Sequence, residues 1–578
     1  MNEVQALDAS FSADGAVVTT GPQGQRAHRR ALEQAERLSE HFYEVCPGVW
    51  TLVGNGLSNQ SFVLGPEGVI AIDTGESVQE MQCALARLRE KTDAPVVAVI
   101  YTHFHYVAGT RAIPGADALP IWSHARVPAN RQRTSGEIAP MYQRGLVQQF
   151  GTRLPGAGED GLVSVGLGRF FRNPAHAPFT PGYLAPTQVF TEPTSTTLAG
   201  LQVVFTPAPS DADDSVTVWF PALGVAVNNL VWPALFNVFA IRGEEYRDPR
   251  VLLTGLDHLN ALQAEHLVGA HGPPLSGAAE VRTVVTDYRD AIQFLWDQTV
   301  RGLNKGLSAD ELTQFVQLPR RFERSYFTQQ FYGVAEHHVR QIQAGLIGWF
   351  DGVESSLFPM PPLDKARRLI AGFGGRDAVR RQSAEALAAD DLRWALELAT
   401  WLVRSETGRH GRADGGSPEE RAQLAAVLRA IAQRSTAANI RNWCLTRALE
   451  LEGRLDLGRL RGHAFRPAEV LSGPLNALRS LRVLLDPLRA QDVNQVLCLD
   501  FGAAGRAGLH IRGGVAMPTT GDPADIVLAL TAETWALLLA AQTTLDQALA
   551  AGRLTLRQGP WAEARALLGC FDHPSFSP

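Results

Sequence analysis

Two histidines separated by one residue, His103 and His105, follow directly on the apolar run Val97-Ala98-Val99-Ile100-Tyr101. Side chains at i and i+2 of an extended segment share one face, so both imidazoles can reach a single ion at the end of such a strand. Two imidazoles suit Zn²⁺, Mn²⁺ or Fe²⁺, and the sequence does not choose among them. A set that small leaves coordination positions open for water or substrate, which is the condition for catalysis rather than for a closed structural site. Beyond Tyr106 stand Val107 and Ala108, whose side chains hold no lone pair. The bland reading of the same pair is two histidines that hydrogen-bond and hold no ion.

The elements that must position these residues are legible as patterns. Residues 48–53, 60–64 and 69–72 read as strands, 80–91 as an amphipathic helix and 96–101 as the strand that delivers the histidines. Further strands are expected at 201–205, 216–220 and 224–227. Residues 151–186, rich in Gly and Pro, read as a long loop over the site. Strands with intervening helices predict an α/β layered sandwich. From 322 to about 458 the pattern is helical, with runs at 366–373, 378–388 and 392–404 and a polar break at 408–417. After Arg466-Pro467 strands at 493–501, 508–512 and 524–530 surround one helix at 531–550. Gly552 and a short Leu-Thr-Leu strand close this last unit.

At 578 residues the chain exceeds what one core supports. A formal charge of −6 argues against nucleic acid as the main partner. No apolar run approaches the ~20 residues of a membrane span. Residues 1–16 carry Asp and Glu without an apolar core, so no signal peptide is expected. Cys46, Cys83, Cys444, Cys498 and Cys570 are scattered and odd in number, which predicts reduced thiols and a cytoplasmic setting.

Several segments together resemble the metallo-β-lactamase-fold alkylsulfatases. They are 95–103, Tyr332-Gly333, Gly348-Trp349-Phe350-Asp351-Gly352, Phe373-Gly374-Gly375 and 392–399. The resemblance covers nearly the whole chain. It implies a metallo-β-lactamase αββα sandwich at 1–355, a helical dimerisation domain at 356–460 and an α+β sterol-carrier-like domain at 465–578. It also implies a His-x-His-x-Asp-His motif for two metals, of which this chain keeps only the first half. By the same resemblance Asp211 takes the place of a Glu ligand of the first metal, and Asn229 that of a Glu between the metals. His271 matches a late His of the second site. The expected metal set is His103, His105 and Asp211, holding one Zn, Mn or Fe ion or none, with the second site empty. His271 joins these three in the catalytic group. Asp213 and Asp214 either substitute for Asp211 or form a solvated acidic turn.

The resemblance places Asn237 and Arg242 where side chains hold the substrate's sulfate, with Tyr183 as a further contact. A guanidinium fork and an amide donor suit an oxyanion. Other clusters read as structure. His337-His338 is a packing or interface pair, His258 and His266 are surface residues flanking a helix at 256–265, and 372–375 is a helix-ending turn. The expected function is cleavage of an alkyl sulfate ester with release of sulfate. With the second metal lost, that cleavage takes the form of displacement by a nucleophile within the substrate, a cyclisation in specialised metabolism. A non-catalytic dimeric binding protein and a mononuclear iron redox enzyme are the alternatives. Leu392, Trp394, Leu396, Leu398, Trp401 and Leu402 exceed what one helical layer buries and predict a homodimer.

Overall fold

A computed structural model describes residues 12 and 14–576, apart from 409, 410, 412, 413 and 464. Most of the N-terminal segment and part of the 408–417 break thus lie outside the described residues. Two compact units emerge, one of residues 1–130 and 145–456, the other of 131–144 and 457–578.

The first unit is built on two facing sheets. Seven strands follow chain order across one sheet, from His41–Cys46 through Gly68–Ile72 and Val96–Ile100 to Gln188–Phe190. The pairings up to Gly68–Ile72 are antiparallel and those from there on are parallel. The other sheet has six strands, Thr194–Leu198 to Leu275–Ser276, with one parallel pairing between Val225–Asn228 and His266–Gly269. Alternation decides which side chains meet. Ile70, Ile72, Ala98 and Ile100 of the first sheet pack against Val203, Phe205, Val216, Val218 and Val227 of the second. On the outer face of the first sheet Phe62, Val69 and Val99 pack against Met81, Ala84 and Leu88 of helix Val78–Arg89. Ala226 and Leu267 of the second sheet pack against Leu252, Leu256 and Leu259 of helix Pro249–Ala261. The expected αββα sandwich is the fold.

Five helices, Pro362–Gly372, Arg376–Ala388, Leu392–Arg404, Pro418–Arg434 and Ala438–Leu451, follow within the same unit. Ser417 and Glu420 cap the fourth reciprocally, with Pro418 at its first position. The apolar surplus of Leu392–Arg404 is largely used within the chain. Leu392 packs with Leu424 and Leu428, while Leu398 and Leu402 pack with Ile370 and Val379. Trp394 and Trp401 are half-buried and bracket Phe373, with ring centroids at 5.8 and 5.1 Å.

The second unit carries a five-stranded sheet in which Asn494–Asp500 lies parallel to Ile526–Leu530. The single helix expected over 531–550 is two, Ala532–Leu539 and Leu545–Ala550. Ala541, at φ 54°, turns the chain between them, and Thr544 and Gln547 form a capping box that starts the second. Helix Pro249–Ala261 corrects the expectation for 256–265. Asp248 caps it and Pro249 opens it, so His258 lies inside the helix and His266 lies on a strand. Residues 151–186 form the expected loop, interrupted only by the short turn Pro174–His176. Among the described residues no helix is long and apolar enough to cross a membrane.

Candidate active site

The site begins where two parallel strands end side by side. Asp73 follows Gly68–Ile72, and Thr102 and His103 follow Val96–Ile100. Asp73 sits at φ 56°, a left-handed conformation that a non-glycine residue adopts only under local compulsion. That conformation aims its carboxylate at Thr102, which donates its N–H at 2.8 Å and its hydroxyl at 2.6 Å. The Thr102 Oγ1 in turn accepts from His103 Nδ1 at 2.9 Å. With Nδ1 protonated, Nε2 of His103 carries the lone pair, and that atom is buried without a hydrogen-bond partner among the described residues. Burial pushes Asp73 up to about 7 against the pull of the Thr102 hydrogen bonds. Burial likewise pushes His103 down to about 3, so its imidazole is neutral and available as a ligand.

His105 lies on the turn Phe104–Tyr106, its ring centroid 5.0 Å from that of His103. Its Nδ1 is 3.2 Å from Oδ2 of Asp211, which enters from the loop after strand Leu201–Pro207. Ligand atoms of His103, His105 and Asp211 all lie within 4.8 Å of one another. Burial alone would raise the Asp211 carboxyl, but the adjacent imidazoles of His105 and His103 hold it well below the ordinary range. Three converging donors, two imidazoles and one ionised carboxylate, fit a divalent ion.

The neighbouring carboxylates have other work. Asp213 pairs with Arg126 at 2.5 Å and accepts from Asn130 at 2.7 Å. Asp214 is fully buried and pushed up to about 7 by that burial. Asn229 is a support rather than a further acid: its Nδ2 donates to Asp211 Oδ1 at 2.8 Å, while its Oδ1 accepts from Trp232 Nε1 at 3.0 Å.

Val107 is fully buried in the core cluster of the first sheet. Gly109 lies so close to Thr74 that a Cβ would fall 2.0 Å from its carbonyl oxygen, which pins the histidine turn to the loop after Asp73. His271 is buried and its Nδ1 donates to the Leu57 carbonyl at 3.0 Å, leaving Nε2 as acceptor. The Tyr106 hydroxyl lies 3.4 Å from that Nε2. Its ring stands edge-on to both His103 and His271, with centroids at 4.9 and 5.3 Å.

Asn237 and Arg242 lie beyond the second sheet on the irregular chain between 228 and 249. Asn237 is fully buried; its Oδ1 accepts from His338 Nε2 at 3.3 Å, and its Nδ2 is buried with no hydrogen-bond partner among the described residues. His338 thus packs in the interior, with an added consequence: by taking the oxygen it leaves the buried amide N–H₂ as a donor. Burial pushes His338 down to about 3. Arg247 donates to the Asn237 carbonyl at 2.6 Å. Arg242 is 7% exposed and its Nη2 lies 2.6 Å from Glu244 Oε1. Helix Ala139–Phe150 presses on this loop, where a Cβ on Gly145 would lie 2.2 Å from the Arg242 carbonyl oxygen. Gln149 bridges, accepting from the Arg242 N–H at 3.2 Å and donating to the Tyr332 hydroxyl at 2.9 Å. Tyr183 packs with Tyr101 at 6.2 Å between centroids, in the cluster that holds Val107.

Sequence reading alone missed Thr102, Tyr106, Glu244, Arg247 and Tyr332. The one local signal was Tyr106, a large aromatic between a ligand and a buried valine. Thr102 adjoins His103, and Glu244 and Arg247 stand two and ten positions from Arg242 and Asn237, but no pattern in the sequence marks those contacts; Tyr332 lies 183 positions from Gln149.

Comparison with known proteins bears on this arrangement. The metallo-beta-lactamase superfamily profile matches residues 53–227 and the alkyl sulfatase dimerisation profile matches 308–454. A linear primary-alkylsulfatase of Pseudomonas sp. (strain ATCC 19151) is 34% identical over 529 residues, covering 88% of this chain and 97% of that protein. An (R)-specific secondary-alkylsulfatase of Pseudomonas sp. is 26% identical, covering 93% and 81%. In three dimensions a stereoselective inverting sec-alkylsulfatase from Pseudomonas sp. superposes with a TM-score of 0.82 at 23% identity, over 95% of this chain and 88% of the other.

Proposed function

This chain belongs to the alkylsulfatase family, and on that premise we propose that it releases sulfate from a small alkyl sulfate ester at a one-ion site. The observation that carries the reading is the convergence of His103, His105 and Asp211 within 4.8 Å of one another. An ion held there supplies Lewis-acid polarisation of a sulfate oxygen. The protein's own part is to hold and to exclude. Asn237 offers a buried amide donor, fixed by His338, and Arg242 offers a buried guanidinium. Tyr106 and Trp232 wall the site against water beside His271.

Val107, Ala108 and Asn229 leave His271 as the one ligand type at a second position, and the Tyr106 hydroxyl faces it there. This supports a one-ion site and favours a nucleophile within the substrate. An amine two carbons from the ester would form the C–N bond as the C–O bond breaks. Sulfate would leave with the electron pair, and the ammonium proton would pass to solvent. A homodimer fits as well. Trp349 is 69% exposed and Phe358 is 92% exposed, and Ile347 and Leu357 are also exposed, large apolar side chains that a second copy would cover. Five unpaired thiols suit a reducing, cytoplasmic setting.

The test is sulfate release from a panel of linear alkyl and aminoalkyl sulfates by zinc-, manganese- or iron-loaded protein, with products identified by mass spectrometry. Release from at least one ester, abolished in Arg242→Ala, is the expected result. No release with any ion refutes sulfate-ester cleavage; a free alcohol as sole product refutes cyclisation while leaving the sulfatase reading intact.

A further inference from the structure

The carboxylate of Glu244 has no evident reason to stand in an anion pocket. Gly243, at φ 88°, folds the chain so that Arg242 and Glu244 meet. Their Nη2 and Oε1 atoms lie 2.6 Å apart, with side chains 7% and 5% exposed. Burial would raise the Glu244 carboxyl, yet Arg242, His105 and Arg247 hold it below the ordinary range, so it is ionised. A carboxylate on a guanidinium presents the same pair of oxygens that sulfate would present.

We propose that Glu244 is an internal occupant of the sulfate subsite, which an incoming sulfate group must displace from Arg242. The inference rests on the sulfate reading above and deepens it. A buried ion pair excludes water and is broken only by an anion that replaces its partner. Free inorganic sulfate gains little by that exchange, because one anion is traded for another. A sulfate ester gains in addition the contacts of its organic part. Glu244 therefore weakens retention of free sulfate, the product, while an ester offsets the same displacement with the contacts of its organic part. Displaced from Arg242, its carboxylate has Arg247 as its remaining cationic neighbour.

The experiment is titration calorimetry of sodium sulfate into metal-loaded wild type and Glu244→Gln, with circular dichroism to establish that the variant is folded. The glutamine keeps the shape and loses the charge. Sulfate affinity at least about tenfold tighter in the variant is expected, since a buried competing charge has gone. The sulfate inhibition constant and the ester KM should both fall in parallel, since each anion displaces the same carboxylate. Equal, measurable affinity in both folded proteins overturns the role of Glu244 and leaves the sulfate reading standing. Absence of binding to both overturns the sulfate reading itself. A wild-type crystal soaked in sulfate decides the matter if the variant does not fold. Sulfate on Arg242 with the Glu244 carboxylate moved away is expected, and sulfate bound with the ion pair intact overturns the proposal.

Discussion

Replacing Thr102 by valine removes one oxygen atom and preserves shape, yet it should loosen the metal site. The Thr102 hydroxyl donates to Asp73 at 2.6 Å and accepts from His103 Nδ1 at 2.9 Å, and the residue is fully buried. The Thr102 N–H would still reach Asp73 Oδ1 at 2.8 Å, so the loop would keep its path. Two buried groups lose a partner, Asp73 Oδ2 and His103 Nδ1, at about 1–3 kcal/mol each. Unfolding free energy of the ion-free protein should thus fall by roughly 2–6 kcal/mol. Metal affinity should fall by about 10–100-fold, the usual consequence of losing an outer partner of a histidine ligand. That corresponds to about 1.4–2.8 kcal/mol. Competition for zinc against a chromophoric chelator at pH 7.5 reads the affinity, and urea denaturation reads the stability. Thr102→Ser, which keeps the hydroxyl, should restore most of both. Zinc affinity of Thr102→Val within about threefold of wild type would refute the relay, since the expected loss starts at tenfold.

Glu420 is buried under Arg376 and Arg380, at 2.6 and 2.8 Å, and also caps its own helix; Glu420→Gln should destabilise by about 1–3 kcal/mol in urea, because charge-assisted hydrogen bonds are lost while solvent reaches both guanidinium groups. Glu80, buried and accepting from Gln60 at 2.9 Å, is pushed by burial up to about 7. The folded state therefore holds that proton more tightly than the unfolded chain, and this group's contribution to stability is full below about pH 4.5 and lost as pH rises through 7. Glu80→Gln should remove that slope, gaining on wild type by up to about 3 kcal/mol between pH 5 and 8 in paired denaturation curves. Finally, Val107→Asp, Ala108→His and Asn229→Glu combined with Tyr106→Ala should bind about one more zinc per chain than wild type, with the ion-free form less stable because it buries unpaired polar groups. Metal analysis after dialysis checks it, and the same three changes with Tyr106 retained should take up less.

Local pattern determined most of the framework. The strands at Gln60–Gly65, Val96–Ile100 and Val216–Phe220 were readable as short runs rich in β-branched and apolar residues, buried on both faces, and helix Leu392–Arg404 by its period, which records the buried face. His103 and His105 stood out through spacing alone as candidate ligands, but what brings them together is the turn Phe104–Tyr106 rather than an extended i, i+2 segment. Where backbone conformation overruled period, reading along the chain failed: the turn at Ala541 splits a continuous Ala/Leu-rich run into two helices. The apolar face of Leu392–Arg404 could be counted, but not what covers it, and the fold spends it on Leu424, Ile370 and Val379 while leaving Trp349 and Phe358 exposed. The pairing of Asp211 with His105, the turn of the Asn237 amide by His338, the Tyr106 hydroxyl before His271 and the Glu244 carboxylate on Arg242 were decided by tertiary structure alone. Except for the last, each joins residues about a hundred or more positions apart. Even Arg242 and Glu244, two positions apart, meet only because Gly243 takes a left-handed conformation that sequence permits but does not impose.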